Sequence, residues 1–247
     1  MQGVLQRAVE WHRLPANAAR AVRKPAQTRA RVVDPPSPLA IERMRAQLRV
    51  RGRLRDATLV CLLAYAGLRP GEALALEWRH LRERTILVEA AVALGSVAET
   101  KTRQTRTVQL LPPLASDLAE WRLACGRPDH RARIFPGREG APWADHDWRN
   151  WRRRIFAPVA ASVGLGSARP YDLRHAFCSL LLAEGRSVVE IARQAGHSPA
   201  MTLDTYGHVI DELEGSERRA AEAVIREARE VVASGAQGSS RADAQVR

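Results

Sequence analysis

Only two stretches of this 247-residue chain carry extended β-patterning, and they are near neighbours: ERTILVEAAVAL (83–94) and RQTRTVQLL (103–111). Both are rich in branched and threonine side chains. The short polar stretch between them, with Lys101 near its tip, makes them an antiparallel hairpin. Almost everything else repeats with helical period. Helices are expected over roughly 4–11, 38–49, 54–67, 113–124, 148–164, 170–185, 187–194, 199–206 and 212–233, with one short strand at RIFPG. A chain with one hairpin among helices cannot build a parallel sheet or a β-sandwich. The expected fold class is mostly α with a small antiparallel β-sheet.

The run VVDPPSP (32–38) divides the chain, because consecutive prolines block helix and sheet alike. Before it, residues 1–33 hold one helix and a basic tail, with seven Lys/Arg against one acid, Glu10. That is too little apolar surface for a separate core. After it, Ser37-Pro38 supplies an N-cap and a first helical residue. Residues 34–235 then read as one domain, and 236–247 as a disordered tail.

Lys plus Arg number 39 against 27 Asp plus Glu, a net charge of +12. A polyanion, most often nucleic acid, is the partner such a surface favours. Three widely spaced cysteines, Cys61, Cys125 and Cys178, suggest neither a disulfide framework nor a zinc site, so no metal or cofactor is expected. No secretory signal or membrane-length apolar run is present, and a reducing cytoplasm fits best. Only two of the basic residues are lysines, Lys24 and Lys101. Arginine binds phosphate but cannot release a proton near neutral pH; lysine can.

Four stretches gather chemistry. In AYAGLRPGEALALEW (64–78), a buried helix ends at Gly67, Arg69 sits in the turn before a helix opened by Pro70, and Glu72 is placed to orient its guanidinium. In ETKTRQTRTVQL, Arg103 and Arg106 follow Lys101. In RPYDLRHAFCSLLLAEG (169–185), Leu173, Phe177, Leu180 and Leu181 form a core stripe, while Tyr171, Arg174 and His175 share the polar side of the first turn. Taken alone, that last segment is equally a helix with a solvated edge. In QAGHSPAMTLDTYGHV (194–209), Gly196-His197 ends one helix and Tyr206 follows nine residues later.

Together these boxes resemble the tyrosine recombinase (phage integrase) family over about residues 36–210. Gly67-Leu68-Arg69-Pro70-Gly71-Glu72 matches its G-[LM]-R-x-x-E turn. Lys101 matches its hairpin lysine, Tyr171 to His175 its H-x-L-R-H box, and Gly196-His197 with Tyr206 its G-H box and tyrosine. The resemblance implies the family's catalytic-domain fold. It implies a site-specific recombinase that breaks and rejoins double-stranded DNA through a 3′-phosphotyrosine, without metal or cofactor. Tyr206 would attack, Arg69 and Arg174 would clamp the phosphate, Lys101 would protonate the departing 5′-oxygen, and His197 would assist. Glu72 and His175 would orient these groups, and Arg103, Arg106, Arg152 and Arg153 would contact DNA. Assembly into a tetramer on DNA, with accessory DNA-bending proteins as further partners, belongs to the same implication, as does a place at the bacterial nucleoid.

Two departures matter. The usual box histidine is Tyr171, and a phenol near its ordinary pKa of about 10 is a poor base at neutral pH. Residues 1–33 resemble only the last helix of the family's preceding DNA-binding domain, so a remnant of it is expected. A truncated DNA-binding relic, or a type IB topoisomerase-like nicking-closing enzyme, are the competing readings.

Overall fold

The computed structural model describes residues 2–22, 34–93, 95–99 and 105–244, and the chain falls into two compact units, Met1–Val32 and Val33–Arg247. The first unit holds α1 (Gln2–Glu10) and a 3-10 turn at Ala18–Arg20. Asn17 caps that turn by accepting from Ala19 N at 3.1 Å, and its amide donates back to Gln2 O at 3.1 Å. Neither element buries a residue.

The second unit opens with α2 (Pro38–Val50), capped as expected by Ser37, whose hydroxyl accepts from Ala40 N at 3.2 Å. Next comes α3 (Leu54–Tyr65), buried continuously from Asp56 to Tyr65. A helix apolar on all sides belongs in the centre of a domain, and α3 packs against α2, α5 (Pro112–Ala124) and α8 (Leu173–Ala183). The short α4 (Pro70–Ala75) follows it.

The β region departs from the single expected hairpin. Its first run breaks into β1 (Thr85–Val88) and β2 (Ala90–Ala93). β1 pairs antiparallel with β4 (Arg106–Gln109), setting buried Ile86 opposite buried Val108. β2 pairs instead with β3 (Ser96–Glu99), Val92 opposite Val97. Gly71 lets β2 lie close on α4: a Cβ there would stand 2.5 Å from Val92 O. The expected strand at RIFPG is only an isolated bridge, Arg133 with Glu77. Ile134 and Phe135 are nonetheless fully buried there.

The basic helix expected over 148–164 is continuous but uneven. It runs as α6 (Asp145–Trp151), a widened π turn over Arg152–Phe156, and α7 (Ala157–Ser162). Pro158 has no N–H to give, and its ring crowds the preceding carbonyls; the widened turn absorbs both. Trp148 stacks on Trp151 at 5.0 Å, and Trp151 Nε1 donates to buried Asp56 at 2.9 Å. Trp151 belongs to the core, and Trp148 packs against it.

After α8 come α9 (Val188–Ala195), α10 (Pro199–Leu213) and α11 (Ala221–Ala244). The helix expected over 212–233 therefore begins later, beyond the left-handed Gly215. It also continues to Ala244, through most of the stretch expected to lack structure. Extending a formed helix costs far less than starting one, so a few glycines and serines do not end it. Arg229 of α11 donates to Asp117 of α5 at 2.7 Å and lies 3.2 Å from Glu42 of α2, holding the three helices together.

Candidate active site

Four loops and helix ends converge on one cluster of cations. The first is the end of α3. Gly67 has φ +59, and a Cβ there would collide with the Phe177 ring of α8. Only glycine lets this turn approach α8 so closely. Its carbonyl oxygen accepts from Arg174 Nη1 at 2.6 Å.

Arg69 then opens α4. Its backbone N–H donates to Glu72 Oε2 and its Nη1 to Glu72 Oε1, both at 2.8 Å. Its Nη2 donates to Gly196 O at 2.6 Å. Glu72 therefore orients the guanidinium, as expected, but it also does more. Arg106, on β4, forks onto the same carboxylate at 2.9 and 2.6 Å, and its Nε donates to Gln194 O at 2.8 Å. Burial alone would raise the Glu72 pKa; hydrogen bonds and charge from Arg106, then Arg69, hold it below the ordinary value instead. Arg106, expected to contact DNA, is engaged within the protein here. Its side chain is only 10% exposed and is spent on Glu72. It ties β4 to α4 and α9.

Arg174 lies in the first turn of α8 and is 2% exposed. Its Nη2 donates to Ala195 O. Burial, then the neighbouring Arg69 charge, pull its pKa down. Among the described residues no carboxylate pairs with it. Two guanidiniums are thus held side by side by the carbonyls of consecutive residues, Ala195 and Gly196. Arg69 is part-exposed and paired with Glu72, whereas the buried Arg174 charge has only carbonyl partners, which is costly unless an anion completes it.

Gly196 is the left-handed end of α9, at φ +71, with Arg106 packed 3.0 Å from where a Cβ would stand. His197 follows it. Its Nδ1 lies 2.9 Å from the Thr202 hydroxyl, which fixes the ring. Burial first, then Arg174, Arg69 and Arg106, push its pKa down to about 4, so the ring is uncharged at neutral pH.

Tyr206 sits in α10 and is 2% exposed. Its hydroxyl lies 2.7 Å from His175 Nδ1, with the Cys178 thiol nearby. Burial and that thiol push its pKa far above the ordinary value. Tyr171, in the 3-10 turn Pro170–Asp172, is 42% exposed, with its ring 6.0 Å from that of His175. Arg152 and Arg153 are exposed on the π turn. Lys101 and Arg103 lie outside the described residues. Among the described residues, no group of three His, Cys, Asp or Glu could hold a metal ion.

Residues 40–212, the stretch that builds this cluster, match the sequence profile of the phage integrase family. The chain belongs to that family. A tyrosine recombinase XerC of Methylobacterium sp. (strain 4-46) is 33% identical over 63% of this chain and 46% of its own length. A XerC of Mesorhizobium japonicum is 29% identical over 77% of this chain and 60% of its own length. The chain thus spans roughly half to three-fifths of these relatives. In fold it is similar to the Tn1549 transposon integrase solved in complex with a circular intermediate DNA, with TM-score 0.62 and 18% identity over 87% of this chain and 76% of that one. It is also similar to the XerA recombinase, with TM-score 0.59 and 19% identity over 79% and 68%. The expected fold, mostly helical with a small antiparallel β region, is that of these recombinases.

Within this phage integrase fold, sequence reasoning missed three partners. Thr202, five residues after His197, carries no periodic signal. Cys178 reads as part of a core helix. The Arg106–Glu72 fork joins residues 34 apart, and no local pattern predicts it.

Proposed function

We propose that this member of the family is a site-specific DNA recombinase that cleaves and rejoins strands through Tyr206. The observation that carries this is the pair of arginines, Arg69 and Arg174, with uncharged His197 beside them. That arrangement is complementary to one phosphate whose charge grows in the transition state. The Tyr206 oxygen attacks phosphorus, a 3′-phosphotyrosine forms, and the 5′-oxygen departs with a proton from Lys101. Keeping the phosphodiester's energy in a covalent link lets the strand be resealed without ATP. His197, held by Thr202, hydrogen-bonds the phosphate, and Tyr171 donates a second bond from its exposed position. Self-assembly on DNA, as a tetramer, is part of the same reading.

The direct test is a pool of nicked duplexes with randomised sequence around the nick. A covalent protein–DNA adduct should accumulate, because the short cut fragment diffuses away. Peptide mass mapping should place the nucleotide on the 199–213 segment. An adduct elsewhere, or none over the pool, would sink the reading.

Binding should respond to salt. Exposed Arg152 and Arg153 are free to meet phosphates, and each lost contact lowers the slope of log affinity against log salt by about 1. Replacing both with alanine should flatten that slope by about 2. Fluorescence anisotropy on one duplex at several salt concentrations measures it. An unchanged slope would place this turn away from DNA.

A further inference from the structure

We infer that His175 is the general base that takes the phenolic proton of Tyr206. The inference rests on the recombinase reading above and names a group that reading leaves open. In this chain the box histidine is Tyr171, so its phenol is no base at neutral pH. The proton of the attacking hydroxyl still has to go somewhere.

Among the described residues, the Tyr206 hydroxyl lies 2.7 Å from His175 Nδ1, with the Cys178 thiol nearby. A phenol has one proton to donate, and an imidazole nitrogen is a far better acceptor than a thiol. His197 is less suited to this step, because the hydrogen bond of the Tyr206 hydroxyl is made with His175, whereas that of His197 is made with Thr202. Tyr171 lies on the open side, edge-on to the His175 ring.

Placement on the chain strengthens the case. His175 directly follows Arg174, and Cys178 lies one turn on, all in α8. A phosphate gripped by Arg174 is thereby set at a fixed offset from the base, on one rigid helix. The groups facing His175 are Asp172, Arg174 and Arg169 around the start of α8, the Tyr171 ring, and Tyr206 from α10. Burial is the largest influence and pulls the imidazole pKa below 6.5; Asp172 opposes it, and Arg174 and Arg169 add to it. The ring is therefore uncharged, and able to accept, throughout the neutral range.

The step balances. The phenolic proton moves to His175 Nδ1 as a phenol oxygen lone pair forms the bond to phosphorus. The P–O5′ pair leaves with the 5′-oxygen, which takes a proton from Lys101. Rejoining runs the same transfers backward, with His175 returning its proton to the phenol.

First-turnover cleavage of the nicked randomised duplex pool, followed from pH 5 to 9, tests this. In the wild type the rate should fall on the acid side of neutrality, as the imidazole becomes charged. His175→Gln keeps a hydrogen-bonding side chain but cannot take a proton. Its rate at pH 7 should be lower by about 10²–10⁴-fold, and should climb about tenfold per pH unit above that as hydroxide substitutes. His175→Ala should recover in part when imidazole is added to the buffer. Circular dichroism and duplex binding on both variants show that the fold survives. Wild-type rates and pH profile in His175→Gln would overturn the assignment. Faster cleavage by either variant would overturn it too, and would make His175 a clasp that holds Tyr206 buried. A wild type that forms no adduct overturns the recombinase reading itself, and the base with it.

Discussion

Tyr206→Phe is expected to eliminate the covalent DNA adduct while leaving the protein folded and able to bind DNA. The loss should be complete rather than graded, because no other hydroxyl stands in this cluster with the same partners. The only other described tyrosines are Tyr171, exposed in the turn before α8, and Tyr65. Tyr65 is fully buried and donates to Glu42 at 2.8 Å, far along the chain in a separate polar network with Arg45, Asp117 and Arg229. The fold should tolerate the change. The phenyl ring stays among its apolar neighbours, and what is lost is one hydrogen bond with His175. A buried hydrogen bond contributes about 1 kcal/mol net. The thermal midpoint should therefore move by only a few degrees for a domain of this size. Denaturing gel electrophoresis after incubation with nicked duplex measures the adduct, and anisotropy measures the binding. Adduct at the wild-type level in Tyr206→Phe would assign the nucleophile elsewhere.

Much of this site was legible because its chemistry is carried by short local boxes. Arg69 and Glu72 share a helix start, Gly196 and His197 a helix end, and Arg174 and His175 a first turn. Such spacing within one element is what a sequence states directly. The stripe of Leu173, Phe177, Leu180 and Leu181 was legible for the same reason and is buried as expected. What could not be read was the pairing between boxes. Arg106 looks like any cation of a basic strand until β4 sets it against a carboxylate from α4. His175 looks like an orienting residue until α10 brings Tyr206 onto it. The β region failed for a related reason. An alanine-rich run such as 90–93 has no alternation of its own, so its pairing was decided by the closeness of α4 at Gly71 rather than by its own pattern. The end of α11 failed because composition reports propensity, whereas a formed helix continues at little cost per residue.

The largest expected effect on stability belongs to Glu72. Its carboxylate is 3% exposed and is shared by Arg69 and by Arg106, whose side chain is 10% exposed. Glu72→Ala removes the anion and leaves the Arg106 charge buried, with only Gln194 O to meet it. Breaking a buried pair from one side costs about 3–5 kcal/mol. That is a large share of the roughly 5–15 kcal/mol that holds a typical domain together. Glu72→Gln should be little better, since its amide NH₂ must face a guanidinium, donor against donor. The same network makes a pH prediction. The folded Glu72 pKa lies below its unfolded value of 4.5. Its contribution is therefore fully present above that value and is lost as pH falls through the folded pKa. Glu72→Ala should remove this part of the acid limb, so wild-type and variant stabilities should converge as pH falls through the folded Glu72 pKa. Urea denaturation at pH 7 and at several acidic values measures both effects. A loss under 1 kcal/mol at pH 7 would mean that water or a relaxed Arg106 replaces the carboxylate. The fork would then be a consequence of the fold rather than one of its supports. The expected result is the opposite. By fixing Arg69 from one side and Arg106 from the other, Glu72 sets the end of β4, and so the exit of the segment that carries Lys101, against the two arginines that would grip the phosphate.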